Sequence, residues 1–195
     1  MNHDPTIVVI SGYKSTMDSE WTTCLLLEII EEMRKIIDKL GSSSGTTVLT
    51  AHLCGEVAEN DKGQDVAIVD LLTQFIESQS DKLEGIHICQ GENLSKARFD
   101  TIPTDAEGLW DLFIQCVEQA NIQNLVIMLD QVDSMHKQRL GSGSEELNGF
   151  VTNLESFCGK LQQREVKVKV VVTSRSSDAA RSFDRAKNSK IIEFC

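Results

Sequence analysis

Short apolar runs alternate along the chain with longer stretches of three- and four-residue periodicity, which predicts strands and helices in turn. Thr6 to Ser11 (TIVVIS) is a compact β-branched run of the kind that fits a pleated sheet. Leu25, Leu26, Ile29, Ile30, Met33, Ile36, Ile37 and Leu40 then recur at helical intervals and predict an amphipathic helix. GSSSG at 41–45 ends it, because glycine accepts a left-handed cap and serine favours turns. A second strand is expected over Thr46 to Leu53, then the polar loop GEVAENDKGQ, then a helix over Val66 to Ser78. The stretch 80–103 is the least legible, and IHIC at 86–89 reads as a short strand or a buried turn.

Thr104-Asp105-Ala106-Glu107 is a capping box, in which threonine and glutamate satisfy orphan amide donors at a helix start. The helix it opens carries Leu109, Trp110, Phe113, Ile114 and Val117. The clearest strand is Asn124 to Leu129, ending in Asp130. A loop with GSGS at 141–144 leads to a helix through Leu147, Phe150, Val151, Leu154, Phe157 and Leu161. Val166 to Thr173 is a further strand, a short helix is expected around 178–186, and IIEF closes the chain as a strand. Strands alternating with helices predict an α/β fold: a three-layer α/β/α sandwich on a mostly parallel five-stranded sheet, with residues 1–195 as one domain.

Composition narrows the function. The net charge of −11 and the lack of any Lys/Arg cluster argue against nucleic acid or an anionic membrane as partner. No apolar stretch approaches the ~20 residues of a membrane-spanning helix. Six cysteines are scattered without CxxC or Cys/His spacing, so neither a disulfide framework nor a zinc site is expected. Most lie in apolar runs as small hydrophobes, and a reducing cytoplasm is the expected compartment.

In open parallel sheets, ligands sit beyond the carboxyl ends of the strands. The first strand here ends in Ser11-Gly12 and runs through YKSTMDS toward a helix. The Asn124 strand ends in Asp130-Gln131-Val132-Asp133, and a later one in Thr173-Ser174-Arg175. In that order, LVIMLDQVD and VKVVVTSR resemble the second and third signatures of the STAND class of P-loop NTPases, particularly the NACHT-like domains of the fungal type. The similarity runs from about residue 6 to 194. It implies ATP or GTP with magnesium as ligand and Gly12, Ser19, Asp130, Asp133 and Arg175 as the binding residues. Ser19 and Asp130 would then face the metal, Asp133 would be the catalytic group of an active site, and the Asp130 strand would lie near the sheet centre.

The phosphate loop departs from that family. GxxxxGK[ST] uses glycines to let amides wrap the phosphates, lysine to neutralise them and a hydroxyl to hold magnesium. Counted from Gly12, the second glycine falls on Met17, the lysine on Asp18 and the hydroxyl on Ser19. Opposed unit charges ~4 Å apart attract by about 4 kcal/mol at an effective dielectric of 20, and aspartate turns that term repulsive. Taking Lys14-Ser15 as the Lys-Ser pair leaves only Tyr13 after Gly12, too little chain for a phosphate nest. Ser134 stands where the family carries glutamate, which removes a candidate base worth ~10²–10⁴-fold in rate.

Other readings stay open. Ser15-Thr16-Met17-Asp18 is itself a capping box, so the segment either starts a helix or retains an anion site at a helix N-terminus. The Asp pair reads as solvated strand-end carboxylates or as an inherited magnesium and water-positioning pair. Arg175 reads as a phosphate sensor, as a solvated strand-end arginine or as the ion-pair partner of Asp130 or Asp133. His52 and His87 read as partner-satisfied core histidines, and Trp21 and Trp110 as packing residues. The family's helical and winged-helix regions do not follow within this sequence, so no nucleotide-driven switch in cis is expected. The expected function is a non-catalytic pseudo-NTPase module with protein partners; the alternative is a weak magnesium-nucleotide binder or residual hydrolase.

Overall fold

A computed structural model of the chain describes residues 6–12, 21–40, 46–53, 64–84, 106–136, 143–186 and 188–194. The first strand is β1 (Ile7–Gly12), followed by α1 (Trp21–Leu40), β2 (Thr47–His52), α2 (Gln64–Ser78) and α3 (Ser80–Glu84). Next come α4 (Ala106–Gln119), β3 (Asn124–Leu129), a 3-10 turn (Val132–His136) and α5 (Gly143–Gln162). The chain continues through β4 (Lys167–Ser174), α6 (Ser177–Arg181), a second 3-10 turn (Ser182–Arg185) and β5 (Ser189–Phe194). The strands form one five-stranded sheet in the order β2-β3-β4-β1-β5. Every described pairing is parallel, so the expected "mostly parallel" sheet is parallel throughout. The Asp130 strand lies one place from the middle, which β4 occupies.

Alternation along the strands sends residues to two unequal layers. Val9, Val48, Leu125, Ile127, Leu129, Val170 and Val172 join α2, α4, α5 and α6 in the larger core. Its centre is aromatic. Trp110 lies 4.6 Å from Phe157 between ring centroids, and Phe113 lies 5.3 Å from both Phe75 and Phe157. On the opposite face Val126 and Met128 meet Leu26 and Ile30 of α1. This is the three-layer α/β/α arrangement that the alternation of periods predicts.

Two helices end by one device, and it aims the strands that follow. After α4, Asn121 takes φ 51, its N–H donates to Glu118 O, and Ile122 N–H donates to Val117 O. After α5, Glu165 takes φ 63, its N–H donates to Gln162 O, and Val166 N–H donates to Leu161 O. Both are Schellman caps, completed by apolar pairs (Ile122 on Val117, Val166 on Leu161) whose members are all buried. Neither cap uses glycine, which is why sequence alone does not mark it. Each drops the chain directly into the start of β3 or β4.

The edge strand β2 is guarded from α2. The Gln74 amide donates through Nε2 to Ala51 O at 2.8 Å and accepts from Ala51 N–H through Oε1 at 3.2 Å. One side chain thus replaces a neighbouring strand at that residue, a protection that exposed edges need. Beside it His52 Nδ1 meets Asp70 Oδ2 at 2.9 Å, so the expected partner-satisfied histidine has its partner. No helix among the described residues is long and apolar enough to cross a membrane.

Candidate functional site

Strand order makes a crevice before any side chain is considered. The connection leaving β1 runs to β2 on one side, while that leaving β4 passes over β1 to β5 on the other. These two connections cross the sheet on opposite faces, α1 on one and α6 on the other, which leaves a gap at the carboxyl ends of β1 and β4, where ligands settle in open α/β sheets. Ser11 and Ser174 are partners across this gap, so Gly12 and Arg175 lie one residue beyond them at its mouth.

The chain turns sharply out of β3. Gln131 adopts φ 47, a left-handed conformation that costs a non-glycine residue roughly 1–2 kcal/mol and tends to mark functional turns. This turn separates the two carboxylates. Asp130 is fully buried. Its Oδ2 accepts from Thr23 Oγ1 at 2.7 Å, and its Oδ1 accepts from Thr173 Oγ1 at 2.7 Å. Gln131 closes the ring: its backbone N–H donates to Thr173 Oγ1 at 2.8 Å and its Nε2 donates to Thr23 Oγ1 at 2.8 Å. A buried carboxylate is tolerated only when its oxygens are satisfied, and here hydroxyls from α1 and β4 do so.

Asp133 sits nearer solvent and meets charge instead. Its Oδ1 accepts from Arg175 N–H at 3.0 Å and from Ser174 Oγ at 3.3 Å, and its Oδ2 lies 3.4 Å from Arg175 Nε. Arg175 Nη2 donates onward to Ser134 Oγ. Of the readings open for Arg175, the structure contains the ion pair, and the partner is Asp133. Ser134 accepts from this clasp and donates onward to Gln131 Oε1 at 3.4 Å.

Asp130, Asp133, Arg175 and Gly12 therefore converge on one edge of the sheet. Ser19, Met17 and Asp18 lie outside the described residues, as do Lys14 and Ser15. The hydroxyl found on Asp130 is that of Thr23, in the first turn of α1. Sequence reasoning passed over Thr23 because it counted forward from Gly12; counting backward from the helix that covers the site would have reached the Thr22-Thr23 pair. Gln131 and Thr173 were also missed as site residues, although both stand inside the motifs. Thr22 is fully buried and its hydroxyl has no partner among the described residues.

The donor set can be tested against a magnesium nucleotide. The Asp130 and Asp133 carboxylates and the threonine hydroxyls are hard oxygens of the kind magnesium takes. The guanidinium that a triphosphate would need is already turned to Asp133 and Ser134. These oxygens have the right chemistry for a small hard cation, but each carboxylate is already engaged, Asp130 by two hydroxyls and Asp133 by Arg175, and the described residues do not suit a polyanion. Elsewhere, no group of three or more His, Cys, Asp or Glu among the described residues is arranged to hold a metal. Cys116 and Cys158 are free thiols that burial pushes up to about 12, so both remain protonated packing groups.

The molecule this geometry defines is an all-parallel α/β protein with an acidic site at the strand ends. No protein-family model matches the chain, and no curated protein matches it. Among solved structures, it is similar to the Walker-type ATPase of Pyrococcus abyssi at 12% identity, with a TM-score of 0.49 over 97% of this chain and 49% of that one. A complex of HORMA, CdnC and Trip13 from Escherichia coli MS115-1 matches at 12% identity and TM-score 0.42, over 97% of this chain and 48% of that one. A KaiC-like protein of Pyrococcus horikoshii matches at 14% identity and TM-score 0.37, over 96% of this chain and 72% of that one. The chain thus spans about half the length of the first two.

Proposed function

We propose that the chain is a P-loop NTPase-like module of STAND or NACHT-like type that no longer hydrolyses nucleotide and acts by docking to other proteins. The observation that carries this reading is the Asp133–Arg175–Ser134 clasp. An acid that would orient water and a cation that would read a terminal phosphate neutralise each other, and the residue at the general-base position is a serine held between Arg175 and Gln131 Oε1. Opening the clasp for a phosphate would forfeit that ion pair and its hydrogen bonds.

The loop supports the same conclusion on either count. Forward from Gly12, the glycine and lysine of the motif become Met17 and Asp18. Backward from Thr23, taken as the hydroxyl on Asp130, they become Trp21 and Thr22. Neither count yields a lysine or a second glycine, so neither provides a cationic, amide-lined cradle.

One observation favours the second reading, a weak magnesium-nucleotide site. The Thr22 hydroxyl, without a partner among the described residues, is a buried polar group of the sort that costs roughly 1–3 kcal/mol when unpaired, and a ligand oxygen would satisfy it. Thermal melting with millimolar magnesium-ATP and magnesium-GTP separates the two. A ligand that binds only the folded state raises Tm by linkage, so no shift is expected for the natural chain. A shift is expected in at least one repaired chain, Met17→Gly/Asp18→Lys or Trp21→Gly/Thr22→Lys. A shift in the natural chain moves the assignment to the nucleotide binder.

A further inference from the structure

The two outer strands of the sheet are finished differently. At β2 the Gln74 amide takes both the N–H and the C=O of Ala51. At β5, the other edge, no such guard exists among the described residues. No proline interrupts its sequence SKIIEF either, so nothing in it blocks a further strand.

Register says which backbone groups are left open. Ile7 stands level with Ser189, and its N–H donates to Asn188 O at 3.1 Å. A parallel ladder alternates, so the N–H and C=O of Lys190 and Ile192 face β1 while those of Ile191 and Glu193 face away from it. Ser189 N–H also faces away but turns back to Ala186 O at 3.4 Å. The middle of β5 therefore offers two donors and two acceptors, alternating as strand addition requires. Side chains alternate as well. Ile191 packs against the larger core, Glu193 shares its face, and Lys190 and Ile192 lie on the other. Lys190 and Glu193 are both exposed.

These positions argue against a second copy of the chain as the added strand. Two copies of β5 paired antiparallel must match outward-facing residues, so odd positions meet odd and even meet even. Lys190 then never stands opposite Glu193, and each copy brings a net charge of −11. A strand of different sequence can match both charges at once.

We propose that β5 docks an extended segment of another protein, added antiparallel as a sixth strand. Antiparallel pairing is the more stable per residue. The segment carries a basic residue opposite Glu193, two β-branched apolar residues opposite Ile192 and Ile191, and an acidic residue opposite Lys190, since opposite charges directly across a pair stabilise it. This rests on the reading of the chain as a docking module and names the surface and the partner chemistry.

The test is fluorescence anisotropy of a labelled TKVVET peptide titrated with the whole chain. Saturable binding is expected at about 1 mM or below. TEVVKT, with its charges exchanged, should bind about threefold more weakly or worse. TKVVET N-methylated at its lysine and second valine, whose N–H groups would face β5, should not bind. Glu193→Pro removes an N–H that faces solvent, which an edge strand tolerates, and should weaken binding about tenfold or more while the variant still melts cooperatively. In hydrogen exchange of the natural chain, the Ile191 and Glu193 amides should exchange faster than those of Lys190 and Ile192, and should slow when TKVVET is added. The proposal is overturned if TKVVET does not saturate, if TEVVKT or the N-methylated peptide binds equally well, or if the Ile191 and Glu193 amides are already protected in the free chain. Peptide binding is read without nucleotide, so its failure leaves the nucleotide melting test to judge the pseudo-NTPase reading separately.

Discussion

Asp130 and Asp133 are three residues apart and live in different chemistry. Asp130 is fully buried and held by hydroxyls that come from α1 and β4, so its carboxylate ties two layers of the fold together. Asp133 is 11% exposed at its side chain and bound to a guanidinium that is 26% exposed. The first is a structural node that no solvent reaches. The second is a clasp at the rim that solvent can screen. A strand-end Asp-x-x-Asp motif can therefore persist with its two acids serving folding and closure.

Removing the node should hurt most. Asp130→Ala strips hydrogen bonds from the buried Thr173 and half-buried Thr23 hydroxyls that also hold the turn at Gln131, and should cost roughly 3–5 kcal/mol in denaturant unfolding. A loss under about 1 kcal/mol would mean that the ring of bonds is slack. Asp133→Ala should cost less, roughly 1–3 kcal/mol, because Arg175 can turn to water. If Asp133 matched Asp130 in cost, the distinction between node and clasp would fail.

Thr23→Val probes the node from the helix side and should cost about 1–2 kcal/mol, leaving Gln131 Nε2 and one Asp130 oxygen without their partner. In a cycle with Arg175→Ala, Asp133→Ala should show a coupling of about 1 kcal/mol, readable as a double-mutant discrepancy in unfolding free energy. Additive behaviour would say that the ion pair is decorative. The smallest effect lies outside both carboxylates and has the opposite sign. Glu165→Gly relieves the left-handed cap after α5 and should stabilise by up to about 1 kcal/mol, which sets the scale of a change that touches neither acid.

The fold was largely legible because its signals are local. Periodicity placed the strands to within two residues, as in Thr46 to Leu53 against the observed β2, but α1 begins at Trp21, ahead of the periodic run from Leu25, and α3 lies in the stretch that carried no clear signal. The helix expected around 178–186 is instead a five-residue helix running into a 3-10 turn. The site was legible only where chemistry sits in a motif: Asp133 meets Arg175, while Asp130 is held by Thr23 and Thr173 at the same strand end. Thr23 was hidden because its role depends on where α1 crosses the sheet, a tertiary fact that no spacing from Gly12 encodes. Gln131 was hidden because a left-handed glutamine has no sequence mark, and Gln74 because edge protection from a helix depends on the docking angle.

The most direct test of the account is a calorimetric titration of the natural chain with magnesium-ATP and magnesium-GTP. A site whose acid and cation already satisfy each other should release no saturable heat up to millimolar nucleotide. Saturable binding at a dissociation constant near 0.1 mM or below (about −5.5 kcal/mol) would contradict it.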